Sequence, residues 1–368
     1  MAEGRPLFMA EMGAENSNLA PTPRGQLSLK LQWRPQVATS AIAARRLSGV
    51  SCLRWIFYAF IQLCAIFCGV PAAIEKMLEE LRWKTGPAAT ALYFVYCRAC
   101  GMTAADSDLD AAIAPQADAL IAEIDATACP RVELLAEMTS LAAEIDNNRE
   151  LVARVISRLH AAPPSTAFTR IAGAISELEA ALAGVRPELA EELAMRVRPL
   201  REQWEARGPG MLRQIGRLTD DAVVPNAAEI VIVSPYAGGH GLAHPRQNRI
   251  TLEGVLVHPH PQLPEPLRLA WLLAQLNSDL PRFADALPPG RSAFAFAVAM
   301  APATLAAAQE VELATCDELT LGSAFEAWGL SGMLPADAPQ RVITWWNAWL
   351  DRAATWPVAV AALERLLA

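Results

Sequence analysis

Apolar side chains recur every three to four residues along most of the chain after residue 106, which is the period of amphipathic helices. Within 131–160, for example, Leu134, Met138 and Leu141 fall on one helical face. Gly208-Pro209-Gly210 is expected to end another helix, because glycine followed by proline is typical of helix C-termini. The pattern predicts helices over 108–127, 131–160, 167–183, 187–207, 264–280, 293–314, 317–330, 339–352 and 355–367.

Two β-branched runs, Glu229–Ser234 and Arg249–Val257, carry the clear strand signals. A Gly-rich loop, Ala237–Asn248, separates them, so we expect a small β-hairpin at about 229–257. This hairpin should pack on helices, because an isolated two-stranded ribbon is only marginally stable in water. The predicted fold is therefore mainly α, a helical bundle or array with one small hairpin.

The polarity of the first hundred residues differs from that of the rest. Residues 1–50 show no sustained period, and we expect a basic tail that is disordered or loosely ordered. Residues 51–105 read as an apolar helical segment, in which 55–73 contains no charge and is just long enough to span a bilayer. A membrane anchor, a signal-like segment, and a buried helix or hairpin remain alternatives for it, as does a protein that starts at Met77. The protein is expected to be cytoplasmic, or membrane-anchored if residues 55–73 span.

The remaining residues, 106–368, are predicted to form a compact acidic domain. It is expected to divide near residue 220, if at all, into a helical part (106–220) and a part with the hairpin and further helices (221–368). The whole chain is 53% hydrophobic, rich in alanine and carries a net charge of −8. Because 106–368 carries most of the acidic residues, it lacks the clustered positive charge that a nucleic-acid backbone requires. Nucleic acid is therefore not an expected partner.

Four of the five histidines lie close together, around the Gly-rich loop and the second predicted strand. Neutral imidazoles are good zinc ligands, and two histidines that alternate with a proline point to one face of an extended chain. The alternative is that these are solvent-exposed loop residues, because their spacing matches no standard ligand signature. No cofactor is expected, and zinc is the one metal for which the sequence offers candidate ligands: His240, His244, His258 and His260.

Arginines and tryptophans supply a second set of candidates. Six arginines lie between 196 and 217, and guanidinium groups of this kind bind acidic partners; the alternative is a solvated helix face. Near the C-terminus, tryptophans at helical spacing indicate burial first and a protein-binding patch second. The candidate partner-binding residues are Arg198, Arg201, Arg207, Trp346 and Trp349.

The chain contains no HExxH, GxSxG, GxxxxGK[ST] or GxGxxG motif, which lowers the expectation of an enzyme. The order strand, loop, strand, helix is similar to the layout of zincin-type folds, but without HExxH. This likeness implies at most a fold relative that lacks the zinc ligands.

Three segments resemble an uncharacterised bacterial family of planctomycete genomes: RVELLAEMTSLAAEIDNNRELV at 131–152, RPLREQWEARGPGML at 198–212 and LRLAWLLAQLNSDLP at 267–281. The resemblance covers roughly residues 106–368. It implies no known activity and assigns no catalytic residue. The sequence thus favours a non-enzymatic helical interaction or scaffold domain that binds a protein partner. The alternative is a metal-dependent hydrolase, or an inactive relative of one, centred on the four histidines.

Overall fold

The structure, a computed structural model, describes residues 78–127, 129–161, 165–351 and 354–368. Within these residues the protein is mainly helical, with twelve α-helices and one small sheet, as the sequence predicts. The strands are β1 (Glu80–Thr85), β2 (Ala227–Val233), β3 (Gly241–His244) and β4 (Arg249–Glu253). The helices are α1 (Pro87–Ala99), α2 (Ser107–Asp125), α3 (Arg131–Leu141), α4 (Asn148–Arg158), α5 (Ser165–Val185), α6 (Leu189–Leu218), α7 (Glu265–Leu273), α8 (Pro281–Ala284), α9 (Ser292–Glu310), α10 (Glu318–Ala327), α11 (Ala338–Leu350) and α12 (Trp356–Leu367).

The sheet has four strands in the order β1-β2-β4-β3. β1, β2 and β4 are parallel to one another, and β3 runs antiparallel to β4 at the other edge. Ile230, Val231 and Ile232 of β2 are fully buried, because a parallel strand in the middle of a sheet is covered on both faces. Because β2 and β4 are parallel neighbours, their carboxyl ends lie at the same edge of the sheet.

The predicted hairpin between Glu229–Ser234 and Arg249–Val257 is corrected by this topology. These two segments are parallel neighbours, with Glu229 beside Arg249. The hairpin that does form joins β3 to β4 through a turn that ends at Asn248, whose φ of 53° is left-handed. β3 has no β-branched residue, so its sequence, GLAH, gives no strand signal of its own.

Two predicted helix boundaries also differ. The range 131–160 forms two helices, and Asn147 starts the second by accepting hydrogen bonds from the amides of Arg149 and Glu150. Conversely, α6 continues through Pro209 to Leu218. Gly208 and Pro209 therefore lie inside a helix rather than at its end. Gly208 has no Cβ to clash with the proline ring that follows, so the helix can continue.

Residues 80–99 belong to the same fold as the rest of the described chain, rather than to a separate apolar segment. β1 pairs with β2 in a six-residue parallel register, from Glu80 beside Ala227 to Thr85 beside Ile232. α1 buries most of its side chains, and α3 packs against it. The hydrophobic core likewise contains residues from both sides of position 220.

The core also contains α9, an alanine-rich helix. Among the described residues, α9 is the one helix long and apolar enough to cross a membrane. However, 72% of its most apolar window is buried inside the protein, as in the core helix of a globular domain. The tail (1–50) and the apolar run at 55–73 lie outside the described residues.

Candidate functional site

Polar side chains converge at the carboxyl ends of β2 and β4. Glu253 is the last residue of β4, and the Gly-rich loop at 236–240 follows β2. Tyr93 reaches this edge from α1, and Glu265 and Arg268 reach it from the first turns of α7. Ligands of open parallel sheets bind outside the carboxyl ends of the strands. We call these residues, with Gly239 and His240, the loop-end site.

Glu253 is completely buried, and its carboxylate organises the loop. Four backbone amides and one hydroxyl donate hydrogen bonds to it, so both oxygens are fully used. Oε1 accepts from Tyr93 Oη (3.0 Å), Tyr236 N (3.0 Å) and Ala237 N (2.8 Å), and Oε2 accepts from Gly239 N (2.5 Å) and His240 N (3.1 Å).

Glycine is required at position 239 for two reasons. Its φ is +136°, a conformation that side chains with a Cβ rarely adopt. A Cβ at this position would also lie 2.5 Å from Pro259 Cγ and 2.7 Å from Arg268 Nη2. The loop therefore passes directly under the segment that carries Pro259 and beside the guanidinium of Arg268.

Tyr93 fixes the tautomer of His240. The single hydroxyl proton of Tyr93 is donated to Glu253, so the 3.0 Å bond between Tyr93 Oη and His240 Nδ1 must have the imidazole as donor. Nε2 of His240 then carries the free lone pair, and no described residue donates to it. Burial lowers the pKa of His240 to about 4; the nearby Glu253 carboxylate opposes this shift, and the Arg268 guanidinium adds to it. The site thus presents a neutral proton acceptor.

Glu265 and Arg268 form a buried ion pair beside this acceptor. Arg268 Nη2 donates to Glu265 Oε1 at 2.5 Å, and the two residues are only 4% and 3% exposed. Glu265 Oε2 and Arg268 Nε and Nη1 have no hydrogen-bond partner in the described structure. Burial, opposed by Arg268, raises the pKa of Glu265 to about 7. Buried polar atoms without partners are rare and costly in folded proteins.

The other three candidate histidines have separate environments. His244 is buried, with Nε2 3.0 Å from Thr251 Oγ1, and burial beside Arg249 lowers its pKa to about 3. His258 is exposed and accepts a hydrogen bond from the Glu265 amide through Nδ1 (3.3 Å). His260 has a buried Nδ1 without a partner among described atoms. The described residues include no group of three or more His, Cys, Asp or Glu arranged to hold a metal ion. The structure therefore does not gather the four predicted ligands around one centre.

The candidate arginines and tryptophans also separate. Arg198, Arg201 and Arg207 are exposed on α6. Arg201 pairs with Glu205 at 2.7 Å, whereas neither of the other two forms an ion pair with any residue the structure describes. Trp346 is 1% exposed, which contradicts a direct role in binding a partner. It packs with Trp345 and Trp356 in the core, as the alternative interpretation predicts.

Trp349 is partly buried and structural as well. Its Nε1 donates to the carbonyl of Leu218 at 2.9 Å, and its ring meets that of Trp356 edge-on. It thus ties α11 to the end of α6.

A groove lies between β1 and α6, with a volume of about 250 Å³. We call it the α6 groove. Leu81 and Trp83 line it from the edge strand, and Arg201, Trp204 and Leu212 line it from the helix; the carboxylates of Glu79 and Glu205 border it as well. Arg201, one of the predicted partner-binding residues, thus borders this groove.

Fold and site together define a mainly helical protein whose small mixed sheet carries a polar site at the carboxyl ends of its parallel strands. No family model, curated protein or solved structure matches the chain. The resemblance to the planctomycete family and the zincin-like layout stay predictions, so function must be inferred from this chain's own residues.

Sequence reasoning located His240 but missed its surroundings. Tyr93 lies in a helix assigned to another segment, and Glu253 sits inside a run interpreted as an ordinary strand. One signal was available: a glutamate within the apolar run ITLEGVLV, which needs partners if it is buried. Glu265 and Arg268, three residues apart on α7, gave no such signal because i, i+3 pairs are common on exposed helices.

Proposed function

We propose that the protein is a non-enzymatic interaction domain that binds an acidic, extended segment of a partner protein in the α6 groove. The observation that carries the proposal is an apolar groove between an edge strand and a helix with exposed arginines.

The apolar part of the groove supplies contact area. Leu78, Leu81 and Trp83 are partly buried, so a partner could remove more of their surface from water. Trp204 is almost fully buried and forms a rigid wall. Tryptophan and arginine contribute most often to binding energy at protein interfaces.

β1 favours an extended partner. It is the terminal strand of the sheet, so the backbone groups on its outer side have no strand partner within the described sheet. An added strand satisfies such groups, and its alternate side chains occupy the neighbouring groove.

Charge favours an acidic partner. The groove lining carries both signs of charge, Glu79 and Glu205 with Arg201 and Arg213. The positive excess comes from the helix beside the groove, because α6 has six arginines and two glutamates between residues 196 and 218. Arg198 lies one turn before Arg201 on the same helix, and neither Arg198 nor Arg207 is neutralised by an ion pair in the described structure. Exposed guanidinium groups bind carboxylates through paired hydrogen bonds.

The test uses a fluorescent peptide of alternating glutamate and valine, (Glu-Val)₄, measured by anisotropy. The double variant Arg198→Glu/Arg201→Glu should bind it about tenfold or more weakly, since charge-assisted contacts become repulsive. The matched control Arg341→Glu/Arg365→Glu makes the same charge change at exposed positions on α11 and α12 and should bind normally.

A (Gln-Val)₄ peptide separates charge from strand addition and should bind more weakly to the unchanged protein. Equal losses in both double variants would show non-specific charge attraction and reject the groove as the site. Absence of binding to (Glu-Val)₄ would reject the acidic-strand proposal itself.

The metal-dependent hydrolase is tested separately by elemental analysis after dialysis against a weak chelator. About one equivalent of zinc or iron, lost in His258→Ala/His260→Ala, would replace the interaction proposal with the hydrolase.

A further inference from the structure

We infer that the loop-end site binds a small zwitterion carrying a carboxylate beside an ammonium group, the chemistry of a free α-amino acid. Nothing in this inference depends on the α6 groove.

Unused hydrogen-bonding capacity is the first ground. Glu265 Oε2 offers an acceptor, and Arg268 Nε and Nη1 offer donors, all buried and all without partners in the part of the chain described. Glu253, by contrast, is saturated by five donors. Within the loop-end site, the open capacity therefore lies on the ion pair and the neighbouring imidazole; His260 Nδ1, in the segment above, is a further buried atom without a described partner.

Charge identifies the class of ligand. Glu253 has no free acceptor, so Glu265 and Arg268 are the charged groups with open capacity. An isolated anion would bind Arg268 but be repelled by Glu265, and an isolated cation would bind Glu265 but be repelled by Arg268. Burying net charge is expensive, whereas a ligand with both signs leaves the total unchanged. The complementary ligand places its carboxylate on Arg268 and its ammonium group on Glu265 Oε2.

His240 provides a third contact point. Its Nε2 lone pair can accept from the ammonium group, because the tautomer is fixed by Tyr93. Arg268 lies against Gly239, so its guanidinium borders the loop one residue before His240, whose imidazole edge, with Nε2, lies beside Gly329. Three fixed groups with defined polarity distinguish an amino acid from a simple carboxylate or amine.

The segment at 255–261 covers the ion pair and must move to admit a ligand. Leu256 and Val257 are 59% and 80% exposed, so the segment buries little apolar surface. The bond from the Glu265 amide to His258 Nδ1 and the contact of Pro259 with Gly239 hold it in place. Few stabilising contacts make local opening inexpensive.

The experiment measures binding of glycine, alanine, leucine, phenylalanine, glutamate and lysine to the full protein by calorimetry. At least one should bind, and its two analogues, lacking either the amine or the carboxylate, should bind about tenfold or more weakly because each leaves a buried charge unpaired. For leucine these analogues are 4-methylpentanoate and 3-methylbutylamine.

Glu265→Gln keeps the shape of the side chain and should weaken binding of the amino acid by about the same factor. The control Arg198→Glu/Arg201→Glu should bind it normally, which separates this site from the α6 groove. Should Glu265→Gln fail to fold, the analogue comparison on the unchanged protein still decides.

Two results would overturn the inference. If no amino acid of the panel binds at millimolar concentration, the unused atoms are served by ordered water only. If an analogue binds as tightly as its parent amino acid, the site does not recognise both charges. Either result leaves the (Glu-Val)₄ experiment unaffected.

Discussion

At the scale of single residues, Glu253 has the largest structural influence on the loop-end site. It collects donors from four consecutive or near-consecutive amides and from Tyr93, which lies 160 residues away in the sequence. A buried carboxylate with a full set of donors fixes a glycine-rich loop that would otherwise have many conformations.

Glu253→Gln is expected to lower the free energy of unfolding by roughly 2–4 kcal/mol. The glutamine NH2 group would replace one carboxylate oxygen and, as a donor itself, could not accept hydrogen bonds from the loop amides. Hydrogen exchange of the Gly239 and His240 amides should accelerate more than exchange in α9. The control Glu326→Gln changes an exposed glutamate and should be near neutral. An unchanged unfolding free energy for Glu253→Gln would contradict the role assigned to this carboxylate.

His244 gives a pH-dependent prediction. Its pKa is lowered to about 3 in the folded protein, below the ordinary value of 6.5, so the unfolded chain takes up a proton first as the pH falls. Stability from this residue is present above pH 6.5 and declines toward pH 3. Glu265, whose pKa is raised to about 7, has the opposite effect: between pH 7 and 4.5 it makes the folded protein more stable as the pH falls.

His244→Asn should therefore reduce the loss of stability between pH 7.5 and 5, by an amount on the order of 2 kcal/mol. Urea unfolding at several pH values measures it. His160→Asn, at an exposed histidine with a left-handed backbone that asparagine tolerates, is the matched control substitution. If the unfolding free energy of His244→Asn changes with pH as steeply as that of the unchanged protein, this buried imidazole does not cause the loss of stability in acid.

These residues show where sequence reasoning stops. The clustering of histidines near a Gly-rich loop is visible in the sequence, and it identified the correct region through His240. The partners of His240 come from α1 and from the end of β4, and no local spacing reveals such long-range contacts. Trp346 shows the same limit, because the spacing of the tryptophans fits both a core position and a protein-binding patch, and only the burial seen in the structure separates the two.

At the scale of elements, helical periodicity predicted most helices, while the exceptions have local causes. A 30-residue α6 was missed because Gly208 and Pro209 resemble a helix end. The parallel pairing of β2 with β4 was missed because β3 is four residues long and lacks β-branched side chains. Both errors arise where tertiary packing outweighs local preference.

Gly208 and Gly210 form a matched pair on α6. A Cβ at Gly208 would lie 2.2 Å from Trp204 Cδ2, whereas nothing lies within 4 Å of one at Gly210. Gly208→Ala should therefore destabilise the protein by about 1–3 kcal/mol through overpacking and the clash with Pro209. Gly210→Ala should stabilise it by about 0.5–1 kcal/mol through helix propensity. Thermal and chemical denaturation of both variants checks the sign; equal effects would show that Trp204 does not constrain this turn.

At the scale of the whole molecule, the sequence indicated a mainly helical protein with a small β element, and the structure confirms that class. The predicted start of the folded unit, residue 106, lies too far along the chain. Charge and hydropathy change near residue 105, but β1 and α1 precede that change and complete the sheet and the core. Composition marks a change in surface character, and pairing of backbone groups decides where a folding unit begins.

A chain restricted to 106–368 should therefore fail to fold cooperatively, whereas 78–368 should fold. The shorter chain loses the strand that pairs with β2 and the buried side chains of Leu92, Tyr93 and Phe94. Each large core side chain removed costs about 2–5 kcal/mol, and three such losses match the usual total stability of about 5–15 kcal/mol. Circular dichroism and thermal unfolding of the two chains give the comparison. A cooperative transition of 106–368 at the temperature found for 78–368 would show that β1 and α1 are dispensable, and would restore the boundary at residue 105.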